Sequence, residues 1–175
     1  MTLPIAFPEI KTRRLMLRRL VPEDRKALFI LRSDEQVSRF IQRMRMTSET
    51  EAAAFIEKIW SNGDRGPDIF WAICLNTQPD LIGTICLWNF SEDRKQAELG
   101  YELFPAFQGR GLMSEAVQAV LDYGFKVLAL TTVEAYTHKA NIRSRKMLAK
   151  FHFRYSADKV DPDNDNNEVY SLIVA

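Results

Sequence analysis

Two cysteines and two histidines in 175 residues leave this chain little with which to hold a soft metal. Cys74 and Cys86 stand apart in apolar, strand-like stretches, and His138 and His152 are remote from both. No zinc-type ligand pair results, and core packing is the expectation for both thiols. Long apolar runs are also missing. None reaches the roughly 18 to 20 residues that cross a bilayer, and the first residues lack the apolar core of a secretion signal, so a cytoplasmic location without membrane contact is expected. Charge of one sign is not in excess either: 24 Lys+Arg against 23 Asp+Glu gives +1, which offers no overall attraction to nucleic acid. The phosphate-loop string G-x-x-x-x-G-K-[ST] is absent. Asp161, Asp163 and Asp165 mimic the opening of a calcium loop, but Asn166 and Leu172 occupy the positions that need glycine and glutamate, so a solvated turn is the better account.

What is present is an ordinary globular composition, 46% hydrophobic and 27% charged, of a length that suits one domain over residues 1–175. There are no repeats and no linker. Arg14 to Leu20 reads as a strand, and Pro22-Glu23-Asp24 opens a helix through Ala27, Leu28, Ile30 and Leu31. A second helix starts near Thr47-Ser48-Glu49, with Thr47 or Ser48 as cap, and runs to Asn62-Gly63. Strands at Ile69 to Leu75 and Leu81 to Trp88 flank a five-residue turn, Asn76 to Asp80. Further along come a helix from Leu112 to about Leu128, a strand near Thr131 to Thr137, a helix near Ile142 to Phe151, and two final strands joined by the polar stretch Asp158 to Glu168.

The most informative segment is Gln108-Gly109-Arg110-Gly111-Leu112-Met113-Ser114-Glu115-Ala116. Glu98, Gly100 and Glu102 alternate with Leu99, Tyr101 and Leu103 before it, and an apolar helix follows. A glycine turn at a helix N-terminus presents backbone N–H groups and a favourable dipole to a phosphate, and Arg110 adds a cationic fork. The string also approaches the dinucleotide fingerprint G-x-G-x-x-G, with Glu134 near the distance of a ribose-binding acid. The preceding strand argues against it. A strand covered on both faces reads as a continuous apolar run, whereas this one has a polar face, and about a hundred residues precede it.

The loop resembles the pyrophosphate pattern Q/R-x-x-G-x-G/A of the GNAT acyltransferase superfamily, with Met113 in place of the final small residue. Four stretches in order are similar to its ribosomal-protein N-acetyltransferase (RimJ/RimL-like) branch: Lys11 to Arg18, Glu98-Leu99-Gly100-Tyr101, Ser114-Glu115-Ala116 and Asn141 to Leu148. A departure is Phe151-His152-Phe153, where the family commonly has a glycine before the phenylalanine, so the helix before it must end on His152 or by another device. The resemblance implies a mixed α/β (α+β) GNAT fold, a mostly antiparallel sheet with about four helices in the order β-α-α-β-β-β-α-β-α-β-β.

The resemblance further implies transfer of an acetyl group from acetyl-CoA to a primary amine by direct attack in a ternary complex, without metal. Gln108, Gly109, Arg110, Gly111, Leu112 and Met113 would face the pyrophosphate, main-chain groups near Leu103 and Phe104 the pantetheine arm, and Arg143, Arg145 and Lys146 the 3′-phosphate. Ser144 would protonate the leaving thiolate, with Asn141 holding pantetheine or positioning that serine. A basic helix face and helix-start residues are the plainer accounts of these positions. Glu98 and Glu102, which share a strand face, are candidates to accept the amine proton or recognise a cationic acceptor, with Glu134 a weaker one; solvated strand charges are the alternative. The acceptor is expected to be a protein N-terminal α-amino group, or else a polyamine or aminoglycoside, although the basic stretch Arg39 to Arg45 suits a polycation poorly. A non-catalytic acyl-CoA-binding module and a dinucleotide oxidoreductase are readings of other classes, and a homodimer stays open.

Overall fold

Residues 7–63 and 68–174 are described by a computed structural model. The strands are β1 (Ile10–Lys11), β2 (Leu15–Arg19), β3 (Ile69–Leu75), β4 (Gln78–Trp88), β5 (Gln96–Leu103), β6 (Thr132–His138), β7 (Arg154–Tyr155) and β8 (Asn167–Ile173). The α-helices are α1 (Arg25–Ser33), α2 (Glu35–Ser38), α3 (Glu49–Gly63), α4 (Leu112–Lys126) and α5 (Ile142–Lys150). The strands form one sheet in the order β1-β2-β3-β4-β5-β6-β8-β7, antiparallel throughout except between β5 and β6. This is the expected mixed, mostly antiparallel architecture with two short additions, β1 and the single-turn α2.

Alternation along β3 explains the layering. Trp71 and Ile73 enter a core with Val117 and Val120 of α4 and Leu148 of α5, while Ala72 and Cys74 enter a second core with Leu28 and Leu31 of α1 and Ala52 and Ile56 of α3. Helices therefore cover both faces. Cys74 and Cys86 are buried free thiols, and burial pushes the Cys74 thiol up to about 11.

Capping chemistry sets the helix ends. The Ser48 hydroxyl accepts from the Glu51 N–H at 3.3 Å, and the Glu51 carboxylate reaches back to the Thr47 N–H at 3.0 Å. At the end of α5, the Phe153 N–H donates to the Leu148 carbonyl at 3.0 Å and the His152 N–H to the Ala149 carbonyl at 3.0 Å. That closure needs a left-handed residue, and His152 supplies it at φ 65°.

One expected turn is tighter than its composition suggests. Only Asn76 and Thr77 separate β3 from β4, because Pro79 and Asp80 lie within β4 as an outward bulge between the pairs Leu75↔Gln78 and Cys74↔Leu81. A bulge is where a proline without an N–H costs the ladder nothing.

Candidate active site

The sheet opens at its parallel pair. β5 and β6 are in register at Gln96↔Thr132, Ala97↔Val133 and Glu98↔Glu134, and beyond that point they no longer pair with each other, β5 staying on β4 and β6 on β8. A cleft of about 900 Å³ fills the gap, lined by Leu99 to Leu103 of β5, Ala135 to His138 of β6, and the starts of α4 and α5. The Phe104 N–H is taken by the Ile82 carbonyl at 3.0 Å. Because main-chain groups alternate sides along a strand, those of Glu102 and Gly100 also turn to β4, and those of Leu103, Tyr101 and Leu99 turn towards the cleft. Of the two residues expected to offer main-chain groups there, Leu103 faces the opening and Phe104 faces away.

The loop between β5 and α4 is held from two sides. Gly109 and Gly111 adopt φ 74° and 75°, left-handed values that a side chain would strain. Among the described residues, none of the N–H groups from Gly109 to Ser114 has a protein acceptor, and no side chain caps α4. Glu115, one residue further on, is gripped instead. Its carboxylate accepts from the Thr12 hydroxyl at 2.6 Å, the Arg14 N–H at 2.8 Å and Arg14 Nε at 2.6 Å. Arg14 Nη1 also donates to the Arg110 carbonyl at 2.9 Å, which fixes the loop itself. Burial pushes the Glu115 carboxyl up, but the bonds from Thr12 and Arg14 outweigh it and hold it below the ordinary range. On the other side, Gln108 Nε2 donates to the Leu103 carbonyl at 2.9 Å and its Oε1 accepts from Arg143 Nη1 at 2.6 Å.

Across the cleft, Asn141 Oδ1 caps α5 by accepting the Ser144 N–H at 3.2 Å. The Ser144 hydroxyl lies 2.7 Å from the Tyr101 hydroxyl. Burial pushes the Tyr101 phenol up to about 12, so it stays protonated near neutrality. Arg143 and Lys146 line the cleft. Arg145 is turned elsewhere, bonded to the Tyr170 hydroxyl at 3.0 Å and paired with Glu168 at 3.3 Å.

The three carboxylates occupy different environments. Glu102 is buried and paired on both oxygens: Arg32 Nε lies 3.2 Å from Oε2, Arg43 Nη2 is against Oε1, and Thr84 donates at 3.4 Å. The Arg43 contact is an ion pair without an aligned hydrogen bond. Among the described residues, Glu98 has only a 3.4 Å bond from Asn89 Nδ2. Burial, reinforced by Asp161 and Glu134, pushes Glu98 up to about 7. Glu134 is buried, paired with Lys159 and hydrogen-bonded by Tyr136 at 3.3 Å. Among the described residues, no three His, Cys, Asp or Glu side chains are grouped to hold a metal ion.

The acetyltransferase (GNAT) domain family matches residues 14–154. This chain belongs to the GNAT family. It is similar to the N-acetyltransferase YoaA of Bacillus subtilis (strain 168), at 31% identity over 85% of this chain and 84% of that protein. Its fold is similar to that of a GNAT acetyltransferase from Bacillus anthracis, with TM-score 0.79 and 24% identity over 95% of this chain and 98% of the other. A third likeness is to the Salmonella typhimurium acetyltransferase that modifies the N-terminal serine of 50S ribosomal subunit protein L7/L12. There the TM-score is 0.77 and the identity 21%, over 94% of this chain and 97% of that one. The chain is thus an acyltransferase of the GNAT family, whose members use acetyl-CoA.

Within this GNAT enzyme, three features of the site lie beyond what residue spacing conveys. Tyr101 was expected as part of an apolar strand face and of the family-like stretch Glu98 to Tyr101, with no role in the site, and Arg32 and Arg43 come from segments far from Glu102 in the chain. The Thr12, Arg14 and Glu115 latch did have a signal, since Lys11 to Arg18 and Ser114-Glu115-Ala116 are two of the four stretches that carry the family likeness.

Proposed function

We propose that this enzyme transfers the acetyl group of acetyl-CoA to the α-amino group of a protein N-terminus by direct attack in a ternary complex. The observation that carries the reading is the run of N–H groups from Gly109 to Ser114 without protein partners, beside the unpaired rim of β5. Leu112 is buried and Met113 and Ser114 are half-buried, where unmet N–H groups are costly, while Gly109 to Gly111 are exposed; a diphosphate at a helix N-terminus meets the whole run. The site therefore fits the ligand: Gln108, Gly109, Arg110, Gly111, Leu112 and Met113 would hold the diphosphate, with Arg143 and Lys146 near the nucleotide. Leu103 and Tyr101 would offer main-chain groups to the amide-bearing arm in the manner of an added strand.

Acetyl-CoA supplies an activated thioester, and the chain's task is to position an amine and manage two protons. Glu102 lines the cleft and Glu98 does not, so Glu98, whose carboxyl near 7 is matched to working pH, would take the amine proton only through intervening water. Glu102, held by two guanidiniums, is assigned to orienting Arg32 and Arg43 instead. Ser144 would hold the proton destined for the thiolate, with Tyr101 donating to its oxygen so that the serine O–H is free to point into the cleft. Asn141 fixes Ser144 through the cap of α5.

The N-terminal acceptor is favoured by the RimJ/RimL-like stretches, and the Salmonella enzyme of the same fold acts on an N-terminal serine. The test is thiol release from acetyl-CoA with separate pools of N-terminal peptides, polyamines and aminoglycosides. Release with peptides is expected. Release with the polyamine or aminoglycoside pool alone would overturn the assignment.

A further inference from the structure

The half of the cleft away from the glycine loop is built from α2 and the segment that follows it. Gln36, Val37, Arg39, Phe40 and Ile41 line it there. A second cavity of about 410 Å³ is lined by Glu35, Ser38, Arg39, Arg43 and Arg45, so Arg39 borders both spaces. The charges in this region do not cancel. Arg45 pairs with Glu35 at 3.1 Å, and Arg32 pairs with Glu102 at 3.2 Å. Asp34 is occupied as the cap of α2, accepting the Gln36 and Val37 N–H groups at 2.8 and 2.9 Å. Arg43 then has only a share of a carboxylate already held by Arg32, with its Nε buried and lacking any hydrogen-bond acceptor. Arg39 is exposed and has no carboxylate partner among the described residues; it lies against the Phe40 ring at 5.1 Å. Four guanidiniums, Arg32, Arg39, Arg43 and Arg45, stand against three carboxylates, Asp34, Glu35 and Glu102, so about one positive charge is left uncompensated here, and Asp34 faces the α2 amides and pairs with none of the four.

We infer that the acceptor carries an anionic group close to its reactive amine, and that this group sits between Arg39 and Arg43. Resting on the N-terminal acceptor reading, the preferred substrate is a protein whose first few residues after the reactive amine include Asp or Glu. The physics favours it twice. A lone ammonium is repelled by surplus guanidiniums, whereas one tied to a nearby carboxylate arrives nearly neutral and gains charge-assisted hydrogen bonds. The same guanidiniums also lower the pKa of the incoming ammonium, which raises the fraction of amine able to attack. Arg39 and Arg43 are thereby specificity-determining residues, separate from the proton-handling groups.

The test uses peptides with one N-terminal residue and differing at positions two to four, which are acidic, amide or lysine, alongside small amines that are anionic or polycationic. With the intact chain, kcat/KM is expected to be about tenfold or more higher for acidic than for amide peptides, as one charge-assisted bond provides, and lower again for lysine peptides. The preference should shrink as salt is raised. Arg39→Ala should bring the acid-to-amide ratio towards one, Arg39→Glu should invert it, and Arg39→Lys should restore part of it. Acetyl-CoA binding measured on each variant reports whether the fold is kept. Equal rates across the peptide series, or an unchanged ratio in Arg39→Glu, would overturn the inference while leaving the N-terminal reading in place. If no peptide reacts, that reading falls, and the inference then stands on anionic small amines outpacing polycations or falls on the reverse. Failure of every amine removes both.

Discussion

The two ends of β5 treat the same side chain in opposite ways. At one end, where β5 is still paired with β6, Glu98 is desolvated and nearly unpartnered, which pushes its carboxyl up to about 7. At the other end, where the strands have parted, Glu102 is more deeply buried but clasped by Arg32 and Arg43. Burial alone therefore does not make a base; burial without a counter-charge does. On the proposed function, the clasped carboxylate would organise the arginines on the acceptor side, and the lonely one would keep a lone pair for a proton.

The largest test of that contrast removes a clasp. Arg32→Ala leaves Glu102 buried with only Arg43, and should cost about 3 kcal/mol in denaturant unfolding, the lower end of the range for breaking a buried pair. A loss under about 1 kcal/mol would mean that Arg43 alone suffices for Glu102 and that the Arg32 clasp contributes little. Next comes Glu98→Gln, for which kcat should fall about 100-fold, as for loss of a general base, with folding intact. The rising limb of kcat/KM near pH 7 should move to the acceptor's own amine pKa, about 8. Retention of the limb would identify another base.

The same carboxyl gives a stability signature of smaller size. Since folded Glu98 titrates near 7 rather than 4.5, its contribution is fully present below 4.5 and is lost as pH rises through 7. After allowance for its partial exposure, Glu98→Gln should gain about 1 to 2 kcal/mol over the wild type between pH 4.5 and 8 in paired unfolding curves. Smallest is Thr84→Val, which removes the long bond to Glu102 and should cost only about 0.5 kcal/mol, a value that separates the hydroxyl's part from the guanidiniums'.

Much of the architecture was legible because it is local. Period-two alternation marked β5, apolar periodicity after Thr47-Ser48-Glu49 marked α3, and the missing glycine before Phe153 drew attention to an ending that His152 achieves in a left-handed conformation. The bulge at Pro79 was not legible, since proline and aspartate have turn composition and only the pairing of β3 shows that they bow outward within a strand. The site divided along the same line. The loop of Gln108 to Ser114 announces itself in sequence, as does the proximity of Asn141 and Ser144. What tells Glu98 from Glu102 is the identity of neighbours from α1 and the segment after α2, about sixty to seventy residues away, and no spacing rule conveys it.

The short parallel seam between β5 and β6 has a mechanical consequence. Only the stretch ending at Glu98 and Glu134 joins β6, β8 and β7 to the remaining five strands by ladder bonds, and the rest of the tie is the apolar core in which Val133, Tyr170 and Leu148 pack with Trp71 and Val117. Packing thus keeps the wedge at a set width where backbone bonds do not, and deuterium uptake should be slowest at the laddered amides of the seam and rise along the amides that face the cleft.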